Sequence, residues 1–327
     1  MAALPPFSAA TTAEEAADAL AESIRGKNVI VTGTSLNGIG FETARVIAKH
    51  ARLVVITGHS DERLNLAAEG IRKSVPSANI RTLNVDLASL AAVRKAAAEV
   101  NAYTEPIHVL INNAAKPWCD FSLSADGIES QLATGHVGPF LLTHLLVPKL
   151  LASASAEHTP RAIFVSSIAQ ALEGGKGVDF DMLVKPDEKK YDAPTVYHQV
   201  KTANVLTSVE LLRRTGGRVK TYSLHPGLIY TNMLVTPLAI PFFQALGALD
   251  KDAKPTPTEQ LSWKTIAQGA ATTVVAAFDP RIADRPGAYL DDCAISENGA
   301  APHSTDPEIA RRLWEATEEL VGEKFAF

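Results

Sequence analysis

Tyr197 and Lys201 stand four residues apart, a spacing that puts a phenol and an ammonium on one face of a helix. A tyrosine exchanges a proton well near neutral pH only if its pKa falls from about 10. A positive charge one turn away favours the phenolate and lowers it. Among the six tyrosines only Tyr197 has a lysine four positions on; Tyr191, the nearest rival, has Thr195 there. Such a pair can protonate a developing alkoxide or take a proton from an alcohol. Taken alone it is also an ordinary pair on a solvated helix, so its meaning depends on what the rest of the chain assembles around it.

A second group of residues is suited to binding phosphate. Thr32-Gly33-Thr34-Ser35-Leu36-Asn37-Gly38-Ile39-Gly40 lies between a strand-like run and a helix-like run. Glycines there permit a tight turn and let the backbone approach a pyrophosphate, and the helix start supplies free N–H groups and positive dipole. Gly33, Ser35, Asn37, Gly38 and Ile39 are the expected contacts. About twenty residues on, an acidic residue directly at the next strand end would accept a ribose 2′-OH and favour NAD(H). Gly58 stands there instead. His59, Ser60 and Arg63 can face a 2′-phosphate. Asp61 and Glu62 argue the other way, unless they only complement a helix start. NADP(H) is expected ahead of NAD(H).

Elements that position these groups alternate along the chain. Short apolar runs at 27–32, 53–57, 80–85, 108–111, 162–165, 219–224 and 288–290 predict seven strands. Helical patterns fall at 40–50, 60–75, 88–100, 127–151 and 196–214, the last stopped by Gly216-Gly217. This alternation predicts an α/β, doubly wound Rossmann fold, its mostly parallel sheet covered by helices on both faces. Ligands of such sheets bind at the carboxyl ends of the strands. Residues 1–25 are an Ala-rich lead-in in which Thr12 and Glu15 fit a capping box. Residues 26–327 are expected to form one catalytic domain. Two segments break the rhythm: 170–195 looks like an insertion, and 235–260, Pro-rich and apolar at first, is placed to cover a ligand.

Bulk properties narrow the classes. The chain has 327 residues, 46% hydrophobic and 20% charged, with a formal net charge of −5, so no basic face for nucleic acid is expected. Two cysteines, Cys119 and Cys293, form no disulfide framework, and the nine histidines form no metal motif; no metal site is expected. Neither a signal peptide nor a transmembrane segment is read, which makes the cytoplasm the expected compartment.

From residue 27 to about 324 the sequence resembles the short-chain dehydrogenase/reductase family, and in detail its retinol-dehydrogenase-like branch. The motifs arrive in family order: the glycine loop at 32–40, Asp86-Leu87, Asn112-Asn113-Ala114-Ala115, Ser166-Ser167, Tyr197 with Lys201, and Pro226-Gly227-Leu228-Ile229-Tyr230-Thr231. The resemblance implies an oxidoreductase that moves a hydride between a nicotinamide dinucleotide and an alcohol or ketone. It implies Tyr197 as acid/base, with Lys201 beside it and holding the nicotinamide ribose. Ser167 would hydrogen-bond the substrate carbonyl, with Ser166 the competing choice. Asp86 would bond the adenine amino group, beside the Leu87 backbone; it can also cap a helix, and the two roles are compatible. Asn113 and Ala114 would line the cofactor cleft, and Pro226, Gly227, Ile229 and Thr231 would border the carboxamide or a phosphate.

The sequence departs from the family in two places. The glycine loop is one residue longer than usual, so residues 34–37 must bulge. Where the family reads Asn-His-x-Gly, with an asparagine that helps hold a proton-relay water, this chain reads Gly135-His136-Val137-Gly138. Either water or helix backbone takes over there, or the relay is rerouted through Thr134 or His136. The substrate loop, about 234–260, carries Phe242 and Phe243; with Trp118 and Cys119 it points to an apolar small-molecule substrate, or to internal packing. Lys116 can meet an anionic group or solvent. Two other readings stand beside the leading one: a cofactor-binding sensor or scaffold with little turnover, and non-redox chemistry such as isomerisation or cyclisation. Pairing through the family's long helices makes a homodimer possible.

Overall fold

A computed structural model describes residues 4–172, 177–258 and 261–327. Residues 1–3 of the lead-in, 173–176 of the insertion and 259–260 of the substrate loop lie outside the described residues.

The strands are β1 (Asn28–Val31), β2 (Leu53–Gly58), β3 (Ile80–Asn84), β4 (Val109–Asn112), β5 (Arg161–Val165), β6 (Lys220–Leu224), β7 (Leu228–Ile229), β8 (Trp263–Lys264), β9 (Tyr289–Asp291) and β10 (Ala294–Ile295). Eight of them form one sheet in the order β10-β9-β6-β5-β4-β1-β2-β3, parallel except for the β9–β10 hairpin. The sequence reading gave seven. The eighth, β10, is two residues long and carries no periodicity of its own; it is created by a two-residue turn in which Asp292 and Cys293 both take positive φ. β7 and β8 pair with each other in a separate ribbon just beyond the sheet.

Strand side chains alternate between two cores. Ile30, Leu53, Val55, Leu110 and Phe164 face the helices Leu90–Asn101, Gly138–Leu151, Ala193–Arg214 and Pro307–Val321. Val29, Val31, Val54, Ile56, Ile111 and Ile163 face Ala13–Ala19, Ile39–Ile47, Asp61–Ser74 and Ile266–Phe278. The first of these helices starts in the expected capping box, Thr12 with Glu15. It is fastened to its neighbour by Glu14, which meets both Arg45 and Lys49.

The helix expected over 127–151 is broken. Glu129 caps a short turn, Ser130–Leu132, a π-helical turn follows at Ala133–Val137, and the regular helix runs only over Gly138–Leu151. Its outer face does not reach solvent freely. Phe140 and His144 pack edge-on against Trp314 of the C-terminal helix, with ring centroids 5.1 and 4.2 Å away, and Phe325 and Phe327 close over them.

Candidate active site

The carboxyl ends of β1 to β6 open onto a cleft of about 660 Å³. Gly33, Ser35, Asn37, Gly38, Ile39, His59, Ser60, Arg63, Asp86, Leu87, Asn113, Ala114, Tyr197, Lys201, Pro226 and Thr231 all line it. Three expected residues do not. Gly227, at φ +103°, turns the chain over the Lys264 side chain. Ile229 is buried in the β7–β8 ribbon against Gly269. Ser167 is not in the lining itself but stands beside Tyr197, which is.

The phosphate end is built from backbone. Thr32 Oγ1 accepts from the N–H groups of Asn113 and Ala114, both at 3.0 Å, and Asn113 Nδ2 donates back to the carbonyls of Thr32 and Gly33. Thr32, which opens the glycine loop without being an expected contact, fixes the loop after β1 to the loop after β4. Gly33 takes φ +71°, and a Cβ on it would lie 2.7 Å from Ala114 Cα. A Cβ on Gly40 would strike Asn113 Nδ2 and the Gly33 carbonyl. The extra residue is absorbed in a turn closed by Gly38 N–H to Ser35 O at 3.2 Å, with Asn37 in the left-handed region. No side chain caps the helix that begins at Ile39. A concave backbone at an uncapped helix start, with no room for further side chains, fits a dinucleotide pyrophosphate.

At the other end, the long helix Ala193–Arg214 presents Tyr197 and Lys201. Lys201 is 3% exposed and donates Nζ to Val165 O at 2.9 Å; Nζ lies 5.4 Å from the centre of the Tyr197 ring. The two serines divide the work at the end of β5. Ser166 is buried, and its hydroxyl donates to the Lys201 carbonyl at 2.7 Å, tying the helix to the sheet. Ser167 is left to face the Tyr197 hydroxyl. The rival Tyr191 is structural: its hydroxyl donates to Cys119 O and accepts from Gln131 Nε2. Asp86 makes an Asx turn with Ala88 N–H, and the helix cap is Ser89, so the cap reading of Asp86 gives way.

Comparison with known proteins decides the family. The profile of the short chain dehydrogenase family matches residues 27–178. Over 96% of this chain and 94% of the relative, the sequence is 35% identical to the Brassica napus short-chain dehydrogenase TIC 32 A, chloroplastic. It is 34% identical to human retinol dehydrogenase 13, over 92% of this chain and 86% of that protein. The chain belongs to the short-chain dehydrogenase/reductase family. Within it, the resemblance is to the retinol-dehydrogenase-like branch. Solved structures share the fold: an uncharacterised protein from Mycobacterium paratuberculosis (TM-score 0.69, 24% identity, 99% of this chain and 100% of that one), and L-sorbose reductase from Gluconobacter frateurii complexed with NADPH and L-sorbose (TM-score 0.62, 19% identity, 84% and 98%).

The geometry bears on two expectations about this short-chain dehydrogenase/reductase. The first concerns Tyr197. Burial pushes its phenol up to about 12, and the neighbouring Ser167 hydroxyl only partly offsets this. The same burial lowers Lys201 to about 8. Burial therefore dominates both groups, and the lowering expected from the four-residue spacing does not appear. The second concerns the relay. A Cβ on Gly135 would lie 2.5 Å from Val200 Cγ1, so the space a side chain would need is filled from the catalytic helix. His136 points away, bonded through Nε2 to Thr317 Oγ1 at 2.9 Å, and burial lowers its pKa to about 3. Of the two residues named for rerouting, only Thr134 lines the cleft.

Beside the cleft, Trp118 stacks on Phe243 at 5.7 Å, meets Phe242 edge-on at 5.0 Å and reaches the Tyr197 ring at 6.4 Å, although Trp118, Phe242 and Phe243 are not themselves in the lining. These rings come from the loop after β4 and from the helix Ala239–Ala245 within the substrate loop. Cys119 sits near the Ser130 hydroxyl, and Lys116 borders the cleft.

Proposed function

We propose that this oxidoreductase transfers a hydride between NADP(H) and an apolar alcohol or ketone, with Ser167, Tyr197 and Lys201 at the reacting centre. The carrying observation is the convergence of Tyr197, Lys201 and the glycine-loop backbone on one cleft, with Trp118 against the Tyr197 ring and Phe242 and Phe243 packed on Trp118.

The nicotinamide ring, when bound, supplies or receives the hydride at the substrate carbon. In the reductive direction, the phenol at Tyr197 gives its proton to the carbonyl oxygen as the C=O π bond becomes a C–O single bond. Ser167 donates a hydrogen bond to the same oxygen. Its high pKa keeps Tyr197 protonated across the neutral range, which suits a proton donor. The Lys201 ammonium beside it stabilises the phenolate left behind. NADP(H) is favoured because His59, Ser60 and Arg63 line the cleft, whereas Asp61 accepts from Asn84 Nδ2 at 2.6 Å and, like Glu62, is not in the lining. An apolar substrate is supported by the aromatic cluster and by the relatives that are named retinol dehydrogenases.

Calorimetric titration with NADPH and with NADH, followed by an alcohol and ketone screen on wild type and Tyr197→Phe, tests the reading. Tight NADPH binding with turnover that drops on the order of 10²- to 10⁴-fold in Tyr197→Phe is expected. Binding without turnover in wild type would instead support a sensor or scaffold, and a variant that kept its turnover would remove Tyr197 from the chemistry.

A further inference from the structure

Beyond Ser166, whose N–H still joins the sheet at Leu224 O, the chain after β5 leaves the ladder. Ser167 is extended, and its own bonds are local: Oγ accepts from Ala169 N–H, and its carbonyl accepts from Gln170 N–H. The next amide, Ile168 N–H, donates to His225 Nδ1 at 3.2 Å. His225 is the residue after β6, and its own N–H is fastened to Leu290 O of β9 at 2.9 Å. Among the described residues this imidazole is the one tie from residues 167–168 to a neighbouring strand end. The same strand end leads directly into Pro226, which lines the cleft.

An imidazole can accept at Nδ1 only when that nitrogen is unprotonated, which places the proton on Nε2. The surroundings keep the ring neutral, and the Ile168 N–H selects the tautomer. Burial, Lys264 from β8 and Lys201 from the catalytic helix lower the His225 pKa to about 4, with Asp292 in the β9–β10 turn opposing them.

We propose that His225 is a positioning residue: its neutral imidazole pins the turn after β5 to the end of β6, and so holds the Ser167 hydroxyl facing Tyr197. The kinetic part rests on the function proposed above; the hydrogen bond itself does not. A misplaced Ser167 slows the step in which the carbonyl oxygen takes up charge, without altering the phosphate end of the cleft.

The test compares His225→Leu, which removes the acceptor, with His225→Asn, which restores one. Amide exchange at Ile168 is followed by NMR, alongside kcat and NADPH affinity. In His225→Leu, Ile168 exchange should accelerate at least about tenfold, and kcat should fall on the order of ten- to a hundredfold, with the NADPH Kd within about twofold of wild type. His225→Asn should recover most of both losses. Unchanged Ile168 exchange in the leucine variant overturns the proposal, as does equal impairment of kcat in both variants. A fully active Tyr197→Phe protein would instead strike the reading of the site and leave the Ile168 result standing.

Discussion

The glycine-loop end of the cleft and the aromatic cluster beside Tyr197 are made of different materials. The glycine-loop end is backbone held by backbone and by short polar side chains: Thr32 and Asn113 staple β1 to β4, and Gly33 and Gly40 leave no room for anything larger. The other region is aromatic side chain held by aromatic side chain, with Trp118 buried and Phe242 42% exposed. One end is dimensioned to within an ångström for a ligand of fixed shape. The other is apolar side chain, part of it exposed. Fixed backbone suits a cofactor common to many reactions, and adaptable side chains suit a substrate that distinguishes one enzyme from the next.

The largest break in that contrast should come from Gly33→Ala. A methyl at φ +71°, 2.7 Å from Ala114 Cα, strains the staple itself. A cost of about 1–3 kcal/mol is expected, read as a lower melting temperature and at least tenfold weaker NADPH binding. Intact NADPH affinity would show that the loop tolerates what its geometry forbids. Gly135→Asn comes next, at the seam between the two ends. Its side chain meets Val200 Cγ1, so overpacking should cost about 1–3 kcal/mol. Adding Val200→Ala should return most of that stability in a thermal melt. A destabilisation that Val200→Ala does not relieve would place the strain elsewhere, in the π-helical turn.

Acidity supplies a third test. The folded protein holds Lys201 near 8, below the ordinary 10.5, so its ammonium is lost as pH rises through about 8 while the Tyr197 phenol stays protonated. Reductive kcat/KM should therefore fall above pH 8, approaching about tenfold per pH unit. A profile flat from pH 7 to 10 would mean that the charge on Lys201 does not enter the step. The smallest effect is expected at Phe242→Ala. Loss of one half-exposed ring against Trp118 should cost about 0.5–1.5 kcal/mol, raising KM for an apolar ketone severalfold. NADPH affinity should not move; if it did, the two ends would not be separable.

Much of the first end was legible in the sequence, because it depends on local rules. A β-branched run, then glycines, then a helix start reads as one motif whatever surrounds it, and even the bulge at 34–37 could be foreseen from its extra residue. Tyr197 and Lys201 were legible from spacing, but their proton affinities were not, since burial is a property of the folded wall and not of the four-residue interval. The break in the helix at Ala133–Val137 was invisible for the same reason: Gly135 makes space, but only the approach of Val200 shows how it is used. Thr32 and His225 each make their key bonds to partners more than fifty residues away, so no local pattern announces them.

The aromatic cap over His144 has a consequence for how the chain is born. Phe140 and His144 are synthesised long before Trp314, the ring that covers them. At roughly 5–20 residues per second, a ribosome needs on the order of ten seconds or more to make the intervening stretch. Throughout that interval the helix Gly138–Leu151 lacks the ring that covers Phe140 and His144, so this part of the core closes only after the C-terminal helix is made.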